Sequence, residues 1–262
     1  MSKIIILGSG AAPGVPSLAC GFGNCDPKNP KNYRSRSGTY IEINNTKFLI
    51  DTSPDLRLQL LNAKIKDVDA VFYTHEHADH LHGIDDLREI NRINKRAIEL
   101  YASPKTLDTI KNRFGYLIAE DTQNINPLYR AALHPNTFNY NESFYFKSVK
   151  VTPIKLFGHN VECAGYIFND GEVVFIADFK EIEDNALLHI KRQPEVLIMP
   201  LTTPSGTCFH ASLDKLLEYH QKISPKRMLI NHMAVESDYN EVNSRCPLGV
   251  EPAFDGMEIN WI

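Results

Sequence analysis

The stretch Thr74-His75-Glu76-His77-Ala78-Asp79-His80, directly after the apolar run Val68-Asp69-Ala70-Val71-Phe72-Tyr73, limits what this chain can become more than any other part of it. Three histidines and an aspartate crowd into six residues at the end of a predicted buried strand, the arrangement of a metal site at a strand end. In a shuffled chain of this composition the pattern His-x-His-x-Asp-His would arise with a chance on the order of one in a thousand, so coincidence is a poor explanation. On extended backbone His75 and His77 point to the same side and can bite one cation. Asp79 and His80, in the turn that leads into the next helix, can bite a second. Two metals follow from this spacing, and they need further ligands and an acidic bridge from elsewhere.

Those residues are found at the ends of other strands. Residues 3–7 read as a buried strand followed by the turn-rich loop Gly8 to Pro16. The polar stretch Asp26 to Arg36 is a surface loop in which Arg34 and Arg36 either meet an anionic substrate or are solvated. Gly38 to Ile43 and Lys47 to Ile50 form a hairpin across Asn44-Asn45-Thr46, closed by Asp51. Ser53-Pro54 starts a helix over 54–62, and the spacing of Ile84, Leu87, Ile90 and Ile93 makes a helix of 83–96. A short strand at 97–101 and a helix over 104–114 follow. The polar segment 115–143 carries Tyr129-Arg130 and reads as variable surface, with His134 as a surface histidine. Phe144 to Leu156 is a strand broken near Pro153 that leads to Gly158-His159. A second hairpin, 164–169 and 172–177, ends at Asp178. A helix at 181–191, a strand at 195–199, the loop Thr202 to His210, a helix from Ser212 and a strand at 227–230 lead to Asn231-His232. His159 then completes the first site, His232 the second, and Asp178 is the best candidate for the bridge. Strands and helices alternate after two hairpins, which makes an α/β chain of mixed sheets covered by helices.

Two cations roughly 3.5–4 Å apart suit phosphoester hydrolysis, because they deprotonate a water, hold phosphoryl oxygens and offset charge on the leaving oxygen. Imidazole and carboxylate donors fit zinc, manganese or iron. At 262 residues and 43% hydrophobic content, one domain spanning 1–262 is expected. A net charge of −4, with no long Lys/Arg run, leaves no electrostatic footprint for nucleic acid or anionic membrane, and favours a small-molecule substrate. The apolar stretch Ile4 to Leu7 is too short for a signal-peptide core, and no run approaches the roughly 18 apolar residues that span a bilayer. Five scattered cysteines argue against a disulfide framework, so a cytoplasmic protein is expected.

The motif from Thr74 to His80, with Asp51 before it and His159, Asp178 and His232 after it, resembles the metallo-β-lactamase superfamily over nearly the whole chain. The resemblance implies an αββα sandwich with a dinuclear site at one edge between two sheets. Gly8 to Pro16, Cys20, Cys25, Arg34-Ser35-Arg36-Ser37, Leu81 to Arg88 and Asn231-His232-Met233 are similar to the cyclic phosphodiesterase, PhnP-like branch, whose named member opens phosphoribosyl cyclic phosphate. It implies attack by metal-bound hydroxide at a centre that includes Asp79, with His210 protonating the departing oxygen. It also implies a homodimer, and a role for Asp51 in orienting a ligand histidine; His82 falls outside the ligand set. That branch holds a structural zinc with a Cys-x-Cys-x-x-Cys loop and a histidine three residues after the last metal-site histidine. Here Phe22 and Val235 stand at two of those four places, so no structural zinc is expected at Cys20 and Cys25. The leading expectation is a dinuclear metal-dependent phosphodiesterase acting on small cyclic phosphodiesters. The alternatives are a ribonuclease Z-like RNA phosphodiesterase, a thioester or lactone hydrolase, and a non-catalytic ligand-binding module.

Overall fold

The computed structural model describes residues 2–119 and 133–262, so Tyr129 and Arg130 lie outside the described residues. Two mixed sheets face each other. In the first, the strands lie in the order Met257–Trp261, Ser2–Gly8, Gly38–Ile43, Thr46–Ile50, Ala70–Phe72, Ile98–Ala102 and Leu133–Thr137. Pairing is antiparallel as far as Thr46–Ile50 and parallel beyond it. In the second, the order is Glu181–Ile182, Val149–Phe157, Cys163–Phe168, Val173–Phe175, Val196–Pro200, Arg227–Asn231 and Val250–Pro252, with Phe144–Phe146 also paired to Val149–Phe157.

The parallel strands need crossovers, and helices supply them. Leu56–Asn62, Leu87–Asn94 and Pro104–Phe114 cover the outer face of the first sheet, placing Leu56, Leu87 and Ile110 in one apolar cluster with Leu49, Val71 and Leu100. Leu213–Ile223 puts Leu213 and Leu216 into the cluster of the second sheet. Between the sheets, Phe48, Ile50 and Phe72 meet Ile154, Tyr166 and Phe168. Buried on both faces, Ala70-Val71-Phe72 is apolar without alternation, as a central parallel strand must be. The inner layer is largely aromatic: Tyr101 stacks on Phe72 at 4.8 Å and on Phe144 at 5.0 Å, and Phe48 lies 5.2 Å from Phe168. This layer ends at the motif. The Tyr166 hydroxyl donates to the Tyr73 carbonyl, and the Ala164 N–H donates to that of Thr74 at 2.9 Å, so the second sheet grips the backbone just before His75.

Several expectations need correction. The helix at 181–191 is instead a strand, Glu181–Ile182, paired with Leu156 and Phe157, followed by the single turn Asp184–Leu187. Burial of Ile182, whose N–H donates to the Tyr219 hydroxyl, decides this against local propensity. The break in 144–156 falls at Lys147, which adopts φ 52, and not at Pro153. Pro153 keeps its place because its carbonyl faces outward, accepting from Asn141 N–H, so its nitrogen also faces away from the Cys163–Phe168 ladder. His134 and Pro135 lie in Leu133–Thr137, a strand that pairs with Ile98–Ala102 and also bridges Ile118 at Leu133. His134 Nδ1 lies 2.8 Å from Glu99. Among the described residues no helix is long and apolar enough to cross a membrane. Phe72→Ala should cost about 3–5 kcal/mol in denaturant unfolding, because the rings packed around it cannot collapse into the space.

Candidate metal centre

The sequence-predicted ligands come together past the ends of strands, at one edge between the sheets. His75 and His77 follow Ala70–Phe72, His159 follows Val149–Phe157, Asp178 follows Val173–Phe175 and His232 follows Arg227–Asn231. Asp79 and His80 sit in the short helix Ala78–Leu81. Gly83 lets this turn lie against the Ser53 backbone: a Cβ there would come 1.9 Å from the Ser53 carbonyl oxygen.

Two groups of donor atoms result: His75, His77, His159 and Asp178 in one, and Asp79, His80 and His232 in the other. In the first, His75 Nε2 and His159 Nε2 lie 3.1 and 3.2 Å from His77 Nδ1. In the second, His80 Nε2 lies 3.3 Å from Asp79 Oδ2 and 3.4 Å from His232 Nε2. Asp178 reaches both. Its Oδ2 is 4.0, 3.9 and 3.8 Å from the Nε2 atoms of His75, His159 and His80, and its Oδ1 is 3.5 Å from that of His232.

The 3.3–3.5 Å separations among Asp79, His80, His232 and Asp178 Oδ1 suit ligands of a cation better than hydrogen bonds, whereas the 3.1 and 3.2 Å contacts of His77 Nδ1 suit either. Ligands about 2.0–2.2 Å from a tetrahedral metal stand roughly 3.3–3.6 Å apart. Asp178 Oδ1 is buried without a hydrogen-bond partner, an unsatisfied anionic atom that a cation would satisfy.

The ring orientations are set from behind. Asp51, at φ 62, accepts the Thr74 N–H and the Thr74 hydroxyl, both at 2.8 Å, and lies 2.7 Å from His80 Nδ1. His80 Nδ1–H donates to it, which leaves Nε2 free to face the cluster. Because the Thr74 proton goes to Asp51, the Thr74 oxygen accepts from His75 Nδ1–H at 2.9 Å, with the same result for His75. His159 Nδ1 faces the Phe209 carbonyl at 3.5 Å, and His232 Nδ1 faces the Thr202 hydroxyl at 3.4 Å.

Burial, and then the charge of His80, hold the His75 imidazole well below the ordinary histidine range. Burial is also the largest effect lowering His77 and His159. For His80, burial opposes the charged form, but Asp79 and Asp51 outweigh it and carry its pKa well above the usual value. Burial likewise opposes ionisation of Asp79 and Asp178. His80 and His232 overcome it for Asp79, and His232 with the hydrogen bond from His210 for Asp178, leaving both carboxyls below their usual range.

His210 stands beside the cluster, its Nε2 3.5 Å from Asp178 Oδ2. His82 faces solvent against the Phe114 ring. Arg34 neither meets solvent nor faces the cluster. It is buried, donating to Asn32 Oδ1 at 2.9 Å and to the Ala234 carbonyl. Arg36 is held by Asp55 through bonds of 2.7 and 2.6 Å. Cys20 is exposed, whereas Cys25 packs with Val15, Val235 and Phe22. Sequence reasoning missed Thr74 and Thr202. A hydroxyl directly before the first motif histidine was the available signal for Thr74; nothing local marks Thr202.

The model of the beta-lactamase superfamily domain matches residues 46–233. The chain belongs to the metallo-β-lactamase superfamily. Within this superfamily it is similar to the PhnP-like branch: a crystal structure titled as a new diphosphatase from the PhnP family shares 28% identity at TM-score 0.87, covering 100% of this chain and 98% of that one. Zn2+-bound PqqB from Methylobacterium extorquens shares the superfamily fold, with TM-score 0.75 and 18% identity over 99% of this chain and 100% of that one. A Porphyromonas gingivalis protein named octanoyltransferase is 29% identical over 98% of this chain and 51% of its own length. The chain thus spans about half the length of that curated relative.

Loading the metal-free protein with zinc or manganese near neutral pH should release protons mainly at the Asp79, His80 and His232 group. His80 must give up its Nε2 proton, whereas burial already keeps His75, His77 and His159 neutral. Calorimetry in buffers of different ionisation enthalpy counts those protons. Asp51→Ala should weaken metal binding about 10–100-fold in chelator competition, because His80 and Thr74 lose their common acceptor.

Proposed function

We propose that this protein is a hydrolase of small phosphodiesters, cyclic ones such as phosphoribosyl cyclic phosphate or cyclic nucleotides first among them. His75, His77 and His159 would hold one divalent cation, Asp79, His80 and His232 another, and Asp178 would bridge them; zinc, manganese and iron all suit the donors. When bound, such a pair supplies Lewis acidity that activates water and offsets charge on the phosphoryl oxygens. The observation that carries the reading is the Asp178 carboxylate, within 4.0 Å of nitrogens from both groups and unsatisfied at Oδ1.

This chain's own residues divide the remaining work. Asp51 and Thr74 keep the His80 and His75 rings turned inward. His210 holds a proton at Nε2 beside the cluster and delivers it to the departing oxygen. The proton it gives is replaced by one from the attacking water, so the net change is addition of water across a P–O bond. The relative titled as a diphosphatase supports a second substrate class, the phosphoanhydride, which presents the same phosphoryl oxygens to the same donors. The octanoyltransferase name belongs to a protein about twice as long, and acyl transfer is proposed for none of the residues described above. We propose no zinc at Cys20 and Cys25, where two apolar side chains, Phe22 and Val235, share the packing around Cys25.

A screen of cyclic nucleotides, phosphoribosyl cyclic phosphate, nucleoside diphosphate esters and an octanoyl thioester, with metal content measured in the same samples, tests the reading. Turnover confined to the thioester would end it. Asp178→Ala should lose at least about a hundredfold in kcat and part of the bound metal, since even partners behind a ligand are worth 10–100-fold. Cys20→Ala/Cys25→Ala should keep the metal content of the parent protein in elemental analysis; loss of a tightly held zinc would refute that assignment.

A further inference from the structure

We propose that Thr207 fixes the tautomer of His210, so that the ring proton sits on Nε2 and faces the reacting group; this rests on the reading of His210 given above. A hydroxyl has two lone pairs and one proton. Thr207 Oγ1 accepts the N–H groups of Phe209 and His210, each at 3.1 Å, which occupies both lone pairs. Its proton is left for His210 Nδ1, 3.0 Å away. Nδ1 is therefore the acceptor nitrogen, and in a neutral imidazole the proton must reside on Nε2. The other side of the ring agrees, because Nε2 faces Asp178 Oδ2, an acceptor, at 3.5 Å.

The turn that carries this pair is tied down. Lys180 Nζ donates to the carbonyls of Thr207 at 2.6 Å and His210 at 3.1 Å, and Thr207 N–H donates to the His210 carbonyl at 3.0 Å. Ala211 N–H donates to the Phe179 carbonyl at 2.9 Å. Phe179 and Lys180 directly follow Asp178, so the donor turn and the carboxylate it faces are anchored to one segment. Thr207 is thus a positioning residue that acts through His210.

The test compares Thr207→Val, which keeps the shape and removes the hydroxyl, with Thr207→Ser, on a cyclic substrate with a poor alkoxide leaving group and on bis(p-nitrophenyl) phosphate. Thr207→Val should lose about tenfold or more in kcat on the cyclic substrate, the worth of one hydrogen bond, with KM and metal content kept and little loss on the nitrophenyl ester. Thr207→Ser should recover most of that rate. Thr207→Val added to His210→Ala should cost nothing further. Nitrogen-15 spectra of the imidazoles should show His210 protonated at Nε2 in the parent protein. An Nδ1–H tautomer there, equal losses on both substrates, or an additive double variant would overturn the proposal. If His210→Ala keeps the full rate on the cyclic substrate, the reading of His210 as proton donor fails, and the spectra alone decide the tautomer.

Discussion

Asp51 joins two segments that their own sequences would leave apart. One carboxylate at the end of Thr46–Ile50 accepts the Thr74 N–H and hydroxyl and faces His80, so the two halves of the histidine motif are oriented by the same buried group. Its left-handed backbone, shared by His232, costs about 1–2 kcal/mol for a residue with a Cβ. Such strain persists only where surrounding contacts over-determine it. Here three hydrogen-bonding groups converge on one side chain, and a water-exposed aspartate would lack the rigidity to align two imidazoles. The dependence runs outward from that point. If Asp51 shifts, His75 loses its tautomer through Thr74 and His80 loses its acceptor.

The rest of the fold keeps the strand ends still. Donor atoms come from both sheets, and their relative positions are only as well defined as the packing between those sheets. The aromatic layer of Phe48, Phe72, Tyr101, Phe144, Tyr166 and Phe168 fills that space with stiff rings, and the bonds from Tyr166 and Ala164 carry its rigidity to the backbone beside His75. Loops supply the chemistry and rigid layers supply the precision.

What could be read in advance follows from the range of the forces involved. The first four donors were legible because they crowd into six residues, and His159, Asp178 and His232 because each follows an apolar run that punctuation ends. The helices with serine at their start, Pro104–Phe114 and Leu213–Ile223, were legible because Ser103 and Ser212 cap them locally. Elements decided by distant partners were not. Glu181–Ile182 is a strand because Leu156 and Phe157 lie beside it, and Leu133–Thr137 tolerates a proline because, among the described residues, Pro135 is paired with Leu100 alone. Met257–Trp261 exists as a strand by lying against Ser2–Gly8 at the far end of the sequence. Of the groups behind the histidines, Asp51 was legible and Thr74 stood in plain view beside His75, whereas Thr202 escaped for the same reason of distance. Thr202 and His232 are 30 residues apart, and no local pattern records the contact.

The sequence distance between the donors has a mechanical meaning. His77 and His159 are 82 residues apart and His80 and His232 are 152 apart, so cations seated among them would act as cross-links that close very long loops. The entropy of such a closure grows only slowly with loop length, but its grip is shared by both sheets. Binding energy at the cluster would then also be resistance to opening of the sandwich. A protease or a chaperone encountering the metal-free chain would meet a looser edge, and the same edge would be sealed once the ions are in place.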